Sequence, residues 1–294
     1  MSEFDLQATI SRLFVYPIKS CAGVAVQESL LIETGLEFDR AWMVVDEDGE
    51  FLSQRELPRM ALIQPQLRQY DMVIRAPGML ALHIALDAVE EPCTVRVWDD
   101  TCAAYNMGPI AAQWFTDFLM QDLPTGMKPM KLRLVRFDPE HKRSSSAKWT
   151  QGLESLNQFS DGYPMLVISE ASLDDLNARL LAQGHPPVGI ERFRPNIVVS
   201  GLQAHDEDRT PALFITTDEG TVELRMVKPC PRCPIPDIDP LTARASPEVS
   251  QTLMQYRQDA RVDGAITFGM NAVGVKGIDH ALRVGQTVQG QLTF

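Results

Sequence analysis

The segment Cys230-Pro231-Arg232-Cys233 places two thiols three residues apart beside a guanidinium, with Pro229, Pro234 and Pro236 stiffening the surrounding chain. Four chemistries suit it. A structural zinc site needs four ligands, and the other thiols, Cys21, Cys93 and Cys102, are distant in sequence. A redox dithiol wants its first thiol at a helix N-terminus, where the dipole lowers its pKa, and Pro234 and Pro236 make an immediate helix poor. One thiolate could instead ligate a transition metal that changes oxidation state, with the Arg232 charge favouring S⁻ over SH. The last reading is two buried cysteines acting as small hydrophobes, which the flanking prolines disfavour in a plain core strand.

Basic residues beside turn formers make a second set. Tyr16-Pro17-Ile18-Lys19-Ser20-Cys21 puts an ammonium and a hydroxyl directly after a strand, where free backbone N–H groups can meet an anion. Arg40 opens another strand, and Arg192-Phe193-Arg194-Pro195-Asn196 offers two guanidiniums and an amide before a third. Singly, each is an ordinary charged strand end. The chain has 27 basic and 39 acidic residues, net charge -12, so a phosphate ligand would have to be met by such a local cluster, guanidinium forks binding phosphate in bidentate fashion. The same balance argues against nucleic-acid or anionic-membrane partners. Asp161, Asp237 and Asp239 lie near these motifs and read as turn-forming aspartates.

The elements that must position these residues are mostly short strands. Apolar runs over 10–16, 41–45, 72–76, 94–98 and 130–137 predict strands. From Pro109 to Gln121, Trp114, Phe115, Phe118 and Leu119 recur at helical spacing and predict a helix packed on a sheet. Residues 138–160 lose periodicity and read as a linker or mobile loop. Met165–Ile168 is an apolar strand, and Ser172 with Asp175 opens a helix whose stripe is Leu173, Leu176 and Leu180 and whose end is Gly184. Strands follow at 197–199, 213–216 and 222–227, the last leaving the Cys-Pro-Arg-Cys segment just beyond its end. Ser246 and Pro247 begin a further helix bearing Val249, Leu253 and Tyr256. A mostly β (α+β) chain with few helices points to barrels, and 294 residues to two modules. Met1–Ile10, with Glu3 and Asp5, shows no secretory signal, no apolar run approaches the ~18 residues of a spanning helix, and five cysteines do not form a disulfide framework, so the cytoplasm is the expected compartment.

With these motifs set side by side, the sequence resembles the MOSC family, named for the C-terminal domain of molybdenum-cofactor sulfurases, and within it the amidoxime-reducing components. VYPIKSCAG and FDRAWMVVDEDG resemble the N-terminal β-barrel module of that family. FSDGYPMLVISEASLDDLN, RFRPNIVVSG, KPCPRC and DIDP resemble its MOSC domain. The resemblance implies an N-terminal module over 1–137, a linker or loop over 138–159 and a MOSC β-barrel domain over 160–294, with the cofactor between the modules. It further implies a molybdenum–molybdopterin cofactor with Cys233 as metal ligand and catalytic centre, and with Lys19, Ser20, Arg40, Arg194, Asn196 and Arg232 around the pterin and its phosphate. Relatives often carry Ser where this chain has Pro231, and the segment His205–Thr210 lacks a Trp common in the family.

The implied activity is reduction of N-hydroxylated bases, amidoximes and hydroxylamines to the amine or amidine by oxygen removal at molybdenum. Some relatives add a four-cysteine ferredoxin-like domain; no cysteine follows Cys233 here, so electrons are expected from a separate reductase, ferredoxin or cytochrome. The other function the family name implies is a sulfur carrier with a Cys233 persulfide. Sulfurases of that kind add a pyridoxal-phosphate domain, for which this chain is expected to have no room.

Overall fold

The computed structural model describes residues 4–293; Met1–Glu3, where part of the no-signal reading falls, and Phe294 lie outside the described residues. The architecture is mostly β, as the sequence predicts. Seven strands close into a barrel. In spatial order they are Met165–Ser169, Ile197–Ser200, Leu6–Val15, Thr287–Gly290, Ala212–Thr217, Gly220–Pro231 and Ala265–Lys276, and the last pairs back to the first.

The first strand shows why the sequence pattern slips. Leu6, Ala8 and Ile10 point into the barrel core; a bulge between Ile10 and Arg12 then resets the phase, so that Leu13 and Val15 continue inward. The bulge turns Phe14 and Tyr16 outward, into a second cluster with Leu173, Leu176 and Leu180. One extra residue in a strand has this effect because side chains alternate with period two. Met165–Ser169 and Ile197–Ser200 run parallel, joined through the helix Glu170–Ala182. Both faces of these strands are covered, barrel core on one side and helices on the other, which is why they read as unbroken apolar runs.

The N-terminal module holds a four-stranded sheet, ordered Trp42–Val45, Arg133–Phe137, Asp100–Asn106 and Glu91–Val97, and a three-stranded sheet of Gln64–Leu67, Asp71–Arg75 and Leu82–Ala85. Between them the helix Gly108–Leu119 buries Trp114, Phe115, Phe118 and Leu119, the face its spacing predicts. The Trp114 indole N–H, which could not be buried unpaired, donates to the Leu80 carbonyl at 2.7 Å.

Four details differ from the sequence reading. Modules drawn as 1–137 and 160–294 interlock in space, because Leu6–Val15 supplies a barrel strand between Ile197–Ser200 and Thr287–Gly290. The stretch read as a linker or mobile loop contains the buried Arg143, whose guanidinium donates to Asp100, Asn157, the Gln158 carbonyl and the Ser160 carbonyl. The helix after Met165–Ser169 is capped by Ser169, which accepts from the Ser172 N–H at 3.1 Å, so Ser172 lies inside it; the helix Glu248–Met254 likewise begins after Pro247. Finally, Gly220–Pro231 runs longer than its apolar core, so Cys230 belongs to the strand and only Arg232 and Cys233 lie beyond it.

Candidate functional site

Where the two modules meet, a solvent-open cleft is lined by Lys19, Ser20, Arg40, Arg194, Asn196, Arg232 and Cys233, every residue that the family resemblance implies around the cofactor. Three of them, Ser20, Arg40 and Arg194, have φ of 66°, 51° and 60°. Left-handed backbone is uncommon outside glycine and costs on the order of 1–3 kcal/mol where it is held by its surroundings. Here it turns the chain sharply beside strand ends and gathers the three residues around one opening.

The Lys19 amide is anchored on the Trp42 carbonyl at 2.8 Å, which ties its turn to the four-stranded sheet. Its ammonium donates to the Phe159 carbonyl at 2.7 Å and to Asp161 at 2.5 Å. Burial lowers the Lys19 pKa despite this partner, while desolvation at Asp161 is outweighed by the Lys19 charge and hydrogen bond, which hold its carboxyl below the usual range. The ammonium is thus already neutralised within the chain. Ser20 is pinned through its carbonyl, which accepts from Gln54 at 2.6 Å.

Arg40 and Arg194 converge on Tyr16, each guanidinium carbon 4.3 Å from the ring centroid. Arg40 is fixed by the buried Asp39 at 2.6 Å and by the Asn196 amide oxygen at 3.1 Å. Asp39 in turn accepts from the Tyr16 N–H at 2.8 Å, and burial still pushes its carboxyl above the usual range. Arg194 is different. One of its nitrogens donates to the Cys21 carbonyl at 2.6 Å, but Nη2 is buried with no hydrogen-bond partner, and burial lowers its pKa to about 10. Among the described residues no carboxylate forms an ion pair with it.

Asn196 does less facing and more holding than its motif implies. Its amide oxygen accepts from Arg40 and from the Leu166 N–H, both at 3.1 Å, and its amide nitrogen donates to the Phe14 carbonyl at 3.3 Å. One side chain thereby joins the strands Leu6–Val15 and Met165–Ser169 and the Arg40 guanidinium. Arg192, from the same motif, turns away to Asp239 and the Pro236 carbonyl, outside the cleft lining.

Both thiols, Cys230 and Cys233, also line the cleft, half-buried and free of any disulfide. Arg232 attends Cys230 in this structure, with Nη1 3.1 Å from its sulfur, and reaches the Phe193 carbonyl at 2.9 Å. That differs from a guanidinium poised on Cys233. Arg232 Nε is buried without a partner, a second unpaired donor on the lining.

Sequence reasoning missed Arg55, Tyr163 and Asn271, which also line the cleft. Arg55 rests over the Trp98 ring, 4.6 Å from its centroid, and the Trp98 indole donates to Asp161 at 3.2 Å. Tyr163 lies within the family-like FSDGYP segment but is not singled out there, whereas Arg55 and Asn271 sit in no pattern that distinguishes them from ordinary loop or strand polarity. Arg143 carried a signal, a basic residue among serines, but its burial depends on residues 14 to 18 positions further along the chain.

These features test what the cleft would hold. Two buried guanidinium nitrogens without partners carry an unmet demand for acceptors, since a buried unpaired donor costs about 1–3 kcal/mol. An anionic group with several oxygens meets that demand. Among the described residues no group of three or more His, Cys, Asp or Glu side chains is placed to hold a bare metal ion. A metal at Cys233 would therefore have to arrive with other ligands, as a dithiolene pterin supplies, and the residues fit such a group.

A seven-stranded barrel interlocked with a second β module, and a cationic cleft with a free thiol at their junction, define the class as MOSC-type. The MOSC N-terminal beta barrel domain matches residues 7–122 and the MOSC domain residues 155–289. Over 260 residues the chain is 37% identical to mitochondrial amidoxime reducing component 2 of Rattus norvegicus, covering 85% of this chain and 72% of that protein. Identity to mitochondrial amidoxime-reducing component 1 of Homo sapiens is 34% over 259 residues, at the same coverage. Molybdenum cofactor sulfurase of Bos taurus is 31% identical over 269 residues, which is 86% of this chain but 29% of that protein. The chain belongs to the MOSC family, in the group that contains the amidoxime-reducing components.

Proposed function

We propose that this protein is a molybdenum-cofactor-dependent oxidoreductase that reduces N-hydroxylated compounds to the corresponding amine or amidine. The observation that carries the reading is the junction cleft itself: its lining brings free thiols together with a set of cations, two of which, Arg194 and Arg232, have buried donors without acceptors. The names of the relatives supply the substrate class. When bound, the molybdenum–molybdopterin supplies the two-electron redox change by which an N–OH group loses its oxygen, consuming two electrons and two protons and yielding water.

The chain's own contributions are binding and placement. Arg40, Arg194 and Arg232 would hold the anionic tail and pterin edge, with Ser20 at the turn beside them. Cys233 would be the metal ligand, its thiolate a soft donor suited to a metal that changes oxidation state. Asn196 fixes the angle of Arg40, and Lys19 with Asp161 fixes the loop over 159–161 that forms the rim. Electrons come from a separate protein of reductase, ferredoxin or cytochrome type, and the compartment is the cytoplasm.

The alternative is a carrier in which Cys233 bears a persulfide, which the match to a sulfurase keeps in view. Purified protein from a cofactor-competent host, assayed with an aromatic amidoxime and dithionite-reduced methyl viologen, tests the choice. The reductase reading predicts amidine formation that disappears in Cys233→Ser. Bound cyanolysable sulfur without molybdenum or turnover would establish the carrier instead.

A further inference from the structure

Beside the cleft, the strand Gly220–Pro231 carries a surface feature that the cofactor site does not use. The short helix Ala147–Thr150 lays Trp149 against that strand, and two ammonium groups flank its ring: Lys148 Nζ lies 5.5 Å and Lys228 Nζ 5.4 Å from the ring centroid. The same Lys228 Nζ is 5.9 Å from the ring of Tyr163. Tyr163 lines the cleft, and so does Asn271, whose amide donates to the Lys228 carbonyl at 3.2 Å. A half-buried tryptophan and two lysines thus stand one aromatic ring away from the cofactor cleft.

The patch is positively charged, and its two lysines share one aromatic ring. Among the described residues neither Lys148 nor Lys228 forms a salt bridge, whereas nearby Arg225 and Arg261 are paired with Glu223 and Asp259. Two ammoniums flanking one ring, on a chain of net charge -12, are a local inversion of its net sign. Such an inversion steers an oppositely charged partner and selects its orientation, while a partly exposed Trp between the charges supplies the apolar anchor typical of interface centres.

We infer that the Lys148–Trp149–Lys228 patch is the docking surface for an electron-donor protein with an acidic face, placed so that its redox group meets the cleft on the Tyr163 side. The inference rests on the reductase reading, since only a reductase needs such a donor. It adds what that reading lacks: where the donor sits and what charge it carries.

The test uses the full-length holoenzyme and an acidic two-iron ferredoxin as probe, with basic cytochrome c and a short single-stranded oligonucleotide as controls. Binding is followed by calorimetry at low and at physiological ionic strength. The ferredoxin is expected to bind, cytochrome c not, and the affinity to fall several-fold as salt screens the lysines. Lys148→Glu with Lys228→Glu is expected to weaken ferredoxin binding about tenfold or more, leaving viologen-driven turnover at the wild-type rate, because neither side chain lines the cleft. Ferredoxin that fails to bind, or binds the double variant as well as wild type, overturns the inference, as does an oligonucleotide that displaces it from the patch. Loss of viologen-driven turnover in wild type would instead strike the reductase reading and leave the binding result standing.

Discussion

At the scale of single residues, the site is held by side chains that mix positioning with binding, and substitutions separate the two. Arg194 has a buried nitrogen without a partner, so Arg194→Ala is expected to remove a ligand contact and to cut the molybdenum content of purified protein severely, beyond the loss of its bond to the Cys21 carbonyl. Arg194→Lys should recover part of it, since a lysine supplies charge without the planar fork. Asn196→Ala should act on the fold itself as well as through Arg40. It strands the Leu166 N–H and the Phe14 carbonyl in a dry interior, and urea unfolding is expected to show a loss of about 2 kcal/mol even in cofactor-free protein.

His205 gives a pH signature at the same scale. Burial, helped by the neighbouring Arg257, lowers its pKa, while Asp175 and Asp208 pull the other way. The folded state therefore binds this proton less readily than the unfolded chain. Its contribution to stability is complete above the ordinary histidine value of about 6.5 and declines as pH falls below it. The nearby Glu207, whose carboxyl burial raises, opposes this trend on acidification, so the quantity to measure is the difference in unfolding free energy between wild type and His205→Gln. That difference should change by a smaller amount between pH 8 and 7 than between pH 6.5 and 5.5; a flat difference across the lower interval would contradict the assignment.

Among elements, closure of the barrel depends on Gly269. Its φ is 77°, and a Cβ there would meet Ile168 Cγ1 at 2.5 Å and the Val167 carbonyl oxygen at 2.8 Å, on the strand that closes the barrel. Gly269→Ala is expected to cost about 2 kcal/mol or more, measured by thermal or denaturant unfolding. The residues that face the cleft were legible in sequence because each sits at a strand end beside a turn former: Lys19 and Ser20 after Pro17, Arg40 before the Trp42 strand, Arg194 before Pro195. The strands themselves were legible from apolar runs. What was not legible was anything set by long-range pairing. The bulge at Ile10 to Arg12 decides which way Tyr16 faces, and with it the partners of both arginines. Cys230 looked like loop because proline is rare within strands, yet it lies within a long strand, at the register shift between Pro229 and Pro231. Arg143 looked like linker because its burial is created only when residues 155–161 fold around it.

For the whole molecule, the two modules share a strand, and this has a direct consequence. A fragment of residues 160–294 lacks Leu6–Val15, leaving Ile197–Ser200 and Thr287–Gly290 without their common neighbour and the barrel open at two edges. Such a fragment is expected to be unfolded or aggregated by circular dichroism and gel filtration, and to be rescued by supplying the N-terminal residues in trans; a monomeric, cooperatively unfolding fragment would show that the strand is dispensable. The same interlocking brings Lys19, Ser20 and Arg40 from one end of the chain against Arg194, Asn196 and Cys233 from the other. Molybdenum X-ray absorption on the purified holoenzyme reads the sulfur shell around the metal, and so tests most directly whether that junction is a cofactor site. The account predicts one fewer sulfur neighbour, or loss of the metal, in Cys233→Ser, with the shell unchanged in Cys230→Ser. An identical sulfur shell in wild type and Cys233→Ser would contradict it.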